Sequence, residues 1–329
     1  MDTNIIHNMD CLGGMKELPD NSVDLVIADP PYYKIKSEDW DNQWKTFEDY
    51  LDWVEKVSLE IKRVMKDNGS FYIFGDDHRI AYIQVRLDKH FTFLNHLVWF
   101  KINNLPVKSI MNNRKYSCMS ERILFYSKQD QTGLERVMLD IDNFQSLREY
   151  AHKMLQAFCC SLKMVNEILG HRKAEHFFYW NSTQWDLPTE ETYNELLGLT
   201  TKGDFKPREY EDLRREYEDL RRPFNPSPKL HEIITEPIIT QAENTDHPTT
   251  KPHRLIRKLI KASSNEGDII LDPFMGSGTT ALACLKLNRK FIGYEISEEY
   301  CKIAEKRIEG WRNQTRLPSF VPPAPGQQE

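Results

Sequence analysis

The six cysteines of this 329-residue chain, Cys11, Cys118, Cys159, Cys160, Cys284 and Cys301, form no CxxC pair and no metal-ligand spacing with histidine. No zinc site or disulfide framework can be read from them, so reduced thiols in a cytoplasmic protein are expected, without a metal. No apolar run approaches the length of a membrane-spanning helix, and no membrane role is expected. The amino-terminal MDTNIIHNMDCLGG carries acids where a secretory signal has a basic region followed by an apolar one, so no export is expected either. Positive charge is not in excess: 44 Lys and Arg against 50 Asp and Glu leave a net charge of −6, which excludes a protein that coats nucleic acid by bulk electrostatics. Acids are missing locally, however. From His90 to Ser120 there is none, while Lys101, Lys108, Arg114 and Lys115 are present; from His247 to Asn265 there is again none beside Lys251, Arg254, Arg257, Lys258 and Lys261. Two basic patches on an acidic body fit a groove for a phosphate backbone. Charge alone fits two solvated faces equally well.

What is present describes a globular α/β chain, with 40% hydrophobic, 29% charged and 11% aromatic residues. The β-branched run Val23 to Ile27 reads as a strand that must stop at Asp29-Pro30-Pro31. Leu51, Val54, Val57, Ile61 and Met65 fall at helical spacing, and Asp67-Asn68-Gly69 then turns into a strand over Ser70 to Phe74. Strand, helix, strand in that rhythm implies a parallel sheet. HLVWFKI and RILFYSK add two strands. From about Gln129 to Asp246 the pattern is helical, and REYEDLR occurs twice, at 208–214 and 215–221; Tyr210, Leu213, Tyr217 and Leu220 share one helix face, expected to pack within its own domain. The α/β pattern returns with the strand Ile269 to Leu271, a glycine-rich turn, the helix ALACLKL and the strand KFIGYEI. The expectation is a catalytic sheet in two pieces, 1–128 and 246–312, interrupted by a mainly helical insert at 129–245 and followed by a disordered Pro-rich tail at 313–329.

Asp29-Pro30-Pro31-Tyr32 presents polar groups at the end of a buried strand. The amino group of adenine or cytosine is a poor nucleophile because its lone pair is delocalised into the ring. Two acceptors, the Asp29 carboxylate and the Pro30 carbonyl, would pull that nitrogen toward tetrahedral geometry, Pro31 would stiffen the loop, and Tyr32, with Tyr33 as a second candidate, would stack on the base. On its own the tetrapeptide is as well explained as a turn. Asp272-Pro273-Phe274-Met275-Gly276-Ser277-Gly278-Thr279-Thr280 supplies context: small residues let backbone amides approach a ligand, and a helix follows. A phosphate loop is excluded because Thr279 stands where its lysine should be. Glu295 ends the next strand, placed to accept ribose hydroxyls of a nucleoside, although a lone acid there could also be a solvated strand end.

These elements resemble the amino-group DNA methyltransferases of the N6-adenine/N4-cytosine type, in the order of their β group. Asn8-Met9-Asp10-Cys11-Leu12 is similar to the family's amino-terminal cofactor segment, in which the acid contacts the adenosyl ring, with Met9 where relatives often have glycine. His247-Pro248-Thr249-Thr250-Lys251-Pro252 is similar to its HPTxKP element at the methionine end of the cofactor. The resemblance implies a Rossmann-like, seven-stranded sheet with an inserted target-recognition domain, S-adenosylmethionine as cofactor, and DNA as partner, double-stranded before single-stranded. It further implies direct in-line transfer, frequently a homodimer, and a cognate restriction endonuclease in restriction-modification systems. No cysteine follows a proline, as the nucleophile of a 5-methylcytosine enzyme usually does. Asp rather than Ser at position 29 leans to adenine; an N4-cytosine enzyme is the alternative, and an inactive DNA- or cofactor-binding regulator the next. In the insert, SLKMVNEILG and the residues after it loosely resemble a helix-turn-helix, with His171, Arg172, Lys173, Asn181 and Gln184 as candidate base readers and Trp180 and Trp185 read as core.

Overall fold

The computed structural model describes residues 1–34, 43–102, 119–128, 144–158, 160–179, 185–200, 205–220, 223–224, 231–238 and 250–316. In chain order the elements are β1 (Ile5–Asn8), α1 (Cys11–Met15), β2 (Val23–Ala28), α2 (Phe47–Val64), β3 (Met65–Gly75), α3 (Ile80–Leu87), β4 (Thr92–Ile102) and β5 (Ser120–Ser127). There follow α4 (Gln145–Ala157), α5 (Leu162–Leu169), α6 (Glu175–Phe178), α7 (Glu190–Gly198) and α8 (Tyr210–Leu220), then β6 (Ile233–Pro237), α9 (His253–Ser263), β7 (Ile269–Asp272), α10 (Thr279–Lys286), β8 (Lys290–Glu295) and α11 (Glu298–Arg316). The chain divides into two compact units, one of 1–130 with 224–329 and one of 131–223.

The first unit is an α/β sheet ordered β1-β8-β7-β2-β3-β5-β4-β6. Adjacent pairs from β1 to β3 are parallel, β5 runs antiparallel to both β3 and β4, and β6 is parallel to β4. The alternation of β2 sends Val26 and Ala28 to one face and Leu25 and Ile27 to the other, and all four are buried. The first face is covered by α2, whose Tyr50, Leu51, Val54, Val57, Ile61 and Val64 recur at helical spacing. Thr46 and Asp49 close a capping box at its start, exchanging bonds of 2.9 and 3.1 Å. The second face is covered by α9 and α10, with Leu255, Ile256, Leu259, Ile260, Ala281 and Cys284 buried.

Two expectations are corrected here. The sheet has eight described strands rather than seven, and the additional one, β6 (Ile233–Pro237), lies within 129–245, the stretch expected to form the insert. IITEP is too short for its alternation to stand out, and it is a strand only because Val98 to Ile102 of β4 offer a partner edge. Asp67-Asn68-Gly69 is not a turn between helix and strand but lies inside β3, where the pairing with β2 shifts register between Val23 and Leu25. The tail beyond 316 lies outside the described residues.

The second unit gathers Leu147, Tyr150, Met154, Val165, Phe177, Trp185, Tyr193, Leu196 and Leu213 into its own core. Tyr210, Tyr217 and Leu220 of α8 pack against that core, and Trp185 is buried with its indole N–H donating to the Phe177 carbonyl at 2.8 Å. No helix among the described residues is long and apolar enough to cross a membrane.

In the sheet unit the buried Tyr72 hydroxyl lies 2.7 Å from the hydroxyl of Ser263, also buried, and its ring stacks on Phe125 at 4.3 Å. Tyr72→Phe keeps the stack and removes the bond, which is expected to lower stability by about 1 kcal/mol. A thermal-melt midpoint indistinguishable from the parent would show that this bond contributes nothing.

Candidate active site

The chain leaves β2 toward β3 on one side and β7 toward β8 on the other, so strand order reverses between β2 and β7. Loops leaving the carboxyl ends of those strands diverge and open a crevice, where ligands of open α/β sheets bind. Asp29 directly follows β2, Asp272 ends β7 and Glu295 ends β8, so three acids converge on this edge. Because β5 is antiparallel to β3, its first residues reach the same edge, and Glu121 stands there opposite Trp99 of β4.

These placements build a charged network around Asp29. Lys251 Nζ lies 2.6 Å from Asp29 Oδ2 and 3.4 Å from Glu121 Oε2. The Tyr32 hydroxyl donates to Asp29 Oδ1 at 3.1 Å and has Glu121 Oε2 at 3.5 Å. Lys101 Nζ holds the other oxygen, Glu121 Oε1, at 2.6 Å. The Lys251 ammonium also sits 5.3 Å from the ring centre of Tyr32. Burial pushes the Asp29 carboxyl above its ordinary range, with Lys251 opposing and Glu121 adding to the rise. At Glu121 burial acts upward too, but Lys251 and Lys101 outweigh it and hold the carboxyl low. Lys251 is raised: burial lowers it, and the two carboxylates more than compensate. Two cations and two anions thus balance in a site where Lys251 is only 9% exposed.

Next to this network lies a cradle of small residues. Gly276 and Gly278 have φ of 51° and 80°, and a Cβ on Gly278 would come within 2.7 Å of the Ala304 Cβ. Glu295 accepts Gly276 N–H at 2.8 Å and Ser297 N–H at 2.9 Å, one per carboxylate oxygen, which leaves acceptor capacity on both. Burial raises its pKa and that of Asp272, the latter to about 7, where bonds from Thr280 and the Phe274 amide oppose the rise. Thr250 and Ser277 hydroxyls are 3.1 Å apart, and Arg307 donates to Ser277 Oγ at 2.9 Å and to Thr279 Oγ1 at 3.4 Å. Phe274 is partly buried, with Trp53 at 5.6 Å between ring centres. Gly278 caps α10 without a side-chain bond, so first-turn amides face the loop. Asp10 caps α1 and accepts Gly13 N–H at 3.0 Å, while Cys11 is buried with its thiol pushed up to about 12, chiefly by burial. A cofactor with a ribose diol, a carboxylate and a flat base fits this donor set: an acid at a strand end, an uncapped helix start and small residues between.

Several sequence expectations change. Lys101 reaches the Asp29 network through Glu121, and Lys251, expected at the methionine end of the cofactor, pairs with the Asp29 carboxylate. Lys258 pairs with Glu236 at 2.6 Å. Tyr33 packs in an aromatic cluster with Phe47 and Tyr50 instead of standing beside Tyr32. The helix-turn-helix likeness fails at its second helix: α5 ends at Gly170 with φ of 71°, but α6 has only four residues. His171 pairs with Glu195 at 3.3 Å and Arg172 with Glu175 at 2.7 Å, while Lys173 is exposed. Lys108, Arg114, Lys115, Trp180, Asn181, Gln184, His247 and Thr249 lie outside the described residues. Glu121 was passed over in the sequence. It closes the acid-free stretch that begins at His90, and an acid heading the apolar run RILFYS was the available signal.

A family model described as DNA methylase matches residues 23–306. Over 307 residues the chain is 31% identical to the DNA adenine methyltransferase YhdJ of Escherichia coli (strain K12), covering 93% of this chain and 82% of that one. Among solved structures it is similar to the complex of M1.HpyAVI with SAM, with a TM-score of 0.52 at 24% identity, covering 92% of this chain and 98% of the other. It is also similar to the PvuII DNA methyltransferase, described as cytosine-N4-specific, with a TM-score of 0.54 at 14% identity and coverage of 95% and 93%.

Gly276→Val is expected to weaken S-adenosylmethionine binding about tenfold or more, because a β-branched residue at that φ is strained and the Gly276 N–H bond to Glu295 must shift. Calorimetric titration measures it, with Asp29→Ala as the control expected to bind normally; normal affinity in the glycine variant would displace the cradle.

Proposed function

Since this chain belongs to the N6-adenine/N4-cytosine DNA methylase family, whose members transfer methyl groups from S-adenosylmethionine to DNA, we propose that it methylates adenine N6 of an extruded base by direct in-line transfer. The observation that carries this reading is the Asp29 carboxylate, aimed into the crevice next to the Tyr32 ring and paired with Lys251. Asp29 and the Pro30 carbonyl each accept one N–H of the target amino group, which turns its lone pair outward. Tyr32 stacks on the base and replaces part of the stacking lost on extrusion. S-adenosylmethionine supplies an electrophilic methyl on a sulfonium, so no enzyme nucleophile is required. The S–CH3 bond would break with its electron pair left on sulfur, releasing the neutral thioether S-adenosylhomocysteine; the nitrogen would lose one proton as it gains the methyl, and Asp29, bonded to that N–H, would receive it.

The cofactor is assigned to Asp10, Cys11, Asp272, Phe274, Gly276 to Thr280 and Glu295, with His247, Thr249 and Pro252 at its methionine end. The preference for adenine is supported by Asp at position 29 and by the adenine methyltransferase identity of the relative that matches over most of the chain. DNA is held by the basic face of α9, where Arg254, Arg257, Lys258 and Lys261 are exposed at helical spacing, and target recognition is assigned to the 131–223 unit.

Incubation with methyl-labelled S-adenosylmethionine and unmethylated genomic DNA, followed by nucleoside mass spectrometry, is expected to place the label in N6-methyladenine. Label in N4-methylcytosine would replace adenine by cytosine in this reading, and label only in RNA or protein would end it. Asp29→Ala is expected to lower turnover by at least about 100-fold. The ionised carboxylate is the active form and its pKa is raised. Turnover is therefore full above that pKa and lost as pH falls through it, with the acidic limb of kcat lying above the ordinary aspartate value of 3.8; a limb at or below 3.8 would show that Asp29 is not the titrating group.

A further inference from the structure

Both oxygens of Asp29 are already engaged, Oδ1 by the Tyr32 hydroxyl at 3.1 Å and Oδ2 by Lys251 at 2.6 Å. An amino group that donates to Asp29 brings a third donor to a carboxylate that already accepts two, and a donor that gives way to it inside a buried site needs another acceptor. One oxygen lies within reach of both: Glu121 Oε2, at 3.5 Å from the Tyr32 hydroxyl and 3.4 Å from Lys251 Nζ. Its sister oxygen is held by Lys101 at 2.6 Å, which orients the carboxylate from β4 and turns Oε2 toward the pair.

We propose that Glu121 is a positioning residue of the methyl-transfer site: it is the exchange acceptor onto which Lys251 or the Tyr32 hydroxyl moves when the target amino group takes its place on Asp29. Lys101 is the anchor that keeps it there. The exchange conserves the number of hydrogen bonds and the charge balance of the site. Without Glu121, Lys251 would have Asp29 as its one carboxylate partner among the described contacts and would compete with the base for it. The inference rests on the reading that Asp29 accepts the amino N–H, and holds for adenine or cytosine as the target.

The groups facing Asp29 are Tyr32 from its own loop, Glu121 from β5, Lys251 ahead of α9 and Asp272 from β7, with Lys101 from β4 behind Glu121. Of these acids, Glu121 raises the Asp29 pKa. Removing its charge therefore moves that titration to lower pH.

The experiment compares the wild type, Glu121→Gln, Glu121→Asp and Asp29→Asn. The single-turnover rate on unmethylated genomic DNA is measured with labelled S-adenosylmethionine, and the Asp29 carboxyl is titrated by carbon-13 NMR of aspartate-labelled protein, its signal identified by loss in Asp29→Asn. E121Q is expected to bind S-adenosylmethionine normally by calorimetry, to transfer methyl on the order of 10-fold to 100-fold more slowly, and to titrate Asp29 at lower pH than the wild type. E121D, which keeps the charge on a shorter arm, is expected to recover part of the rate and keep the wild-type titration. A wild-type rate in E121Q, or an unmoved Asp29 titration, overturns the proposal while leaving the proposed function standing. A wild type that labels no DNA overturns both. Should E121Q fail to bind S-adenosylmethionine, E121D decides alone: a slowed rate with normal cofactor affinity supports the exchange role, and a wild-type rate refutes it.

Discussion

The ion pair between Lys251 and Asp29 joins residues 222 positions apart and fixes how the two halves of the catalytic sheet meet. Taking both charges out of water costs several kcal/mol per ion, and a bare pair would struggle to recover it. Glu121 and Lys101 change that balance. Each charge in the network has an opposite neighbour at 2.6 Å, and the sum over the four groups is zero. The network therefore depends on β2, β4, β5 and the start of α9 being brought together at one edge, which is what the sheet order accomplishes.

That order also explains why the cofactor cradle and the DPPY loop lie beside each other although they belong to opposite ends of the sheet unit. β7 pairs in parallel with β2 through Leu25 with Ile270 and Val26 with Leu271. The carboxyl ends of neighbouring parallel strands are a few ångströms apart, so Asp29 and Asp272 share an environment, and Asp29 helps raise the Asp272 pKa toward 7. A permuted chain keeps the site intact because the chemistry needs adjacency in the sheet and not adjacency in sequence.

Much of this was legible in the sequence. The run Val23 to Ile27 could be nothing but a buried strand, and the prolines after it fixed where its polar load is delivered. The glycine-rich turn between strand and helix was visible by residue type, and Glu295 by its place at the end of the following strand. What escaped depended on long-range pairing. β6 is a strand by virtue of β4, and the partner of Lys101 could not be seen because the carboxylate that pairs with it lies near the start of the next strand, 20 residues later. Glu121 escaped for the converse reason: its relevance comes from β5 running antiparallel, which brings an amino-terminal residue to the carboxyl edge of its neighbours. In the second unit the loose likeness to a helix-turn-helix did not hold, because a Gly170 stop resembles the turn of a DNA-reading motif whether or not a full helix follows.

The fold does not choose between adenine and cytosine, since enzymes acting on either base share it, so selectivity has to come from side chains at the crevice. Both bases present an exocyclic amino group, and Asp29 can accept from either. The difference lies in what surrounds the acceptor. A buried carboxylate with a raised pKa costs stability unless cations offset it, and here Lys251 does so from above the Tyr32 ring, where it also presents positive charge to whatever stacks there. Extruding a base costs a few kcal/mol, and stacking on one aromatic ring recovers about 1 to 3 kcal/mol, so there is little margin for losing hydrogen bonds on entry. A second carboxylate within reach of both donors on Asp29 keeps that loss small, and this constraint, more than the tetrapeptide itself, ties the DPPY loop to the strands around it.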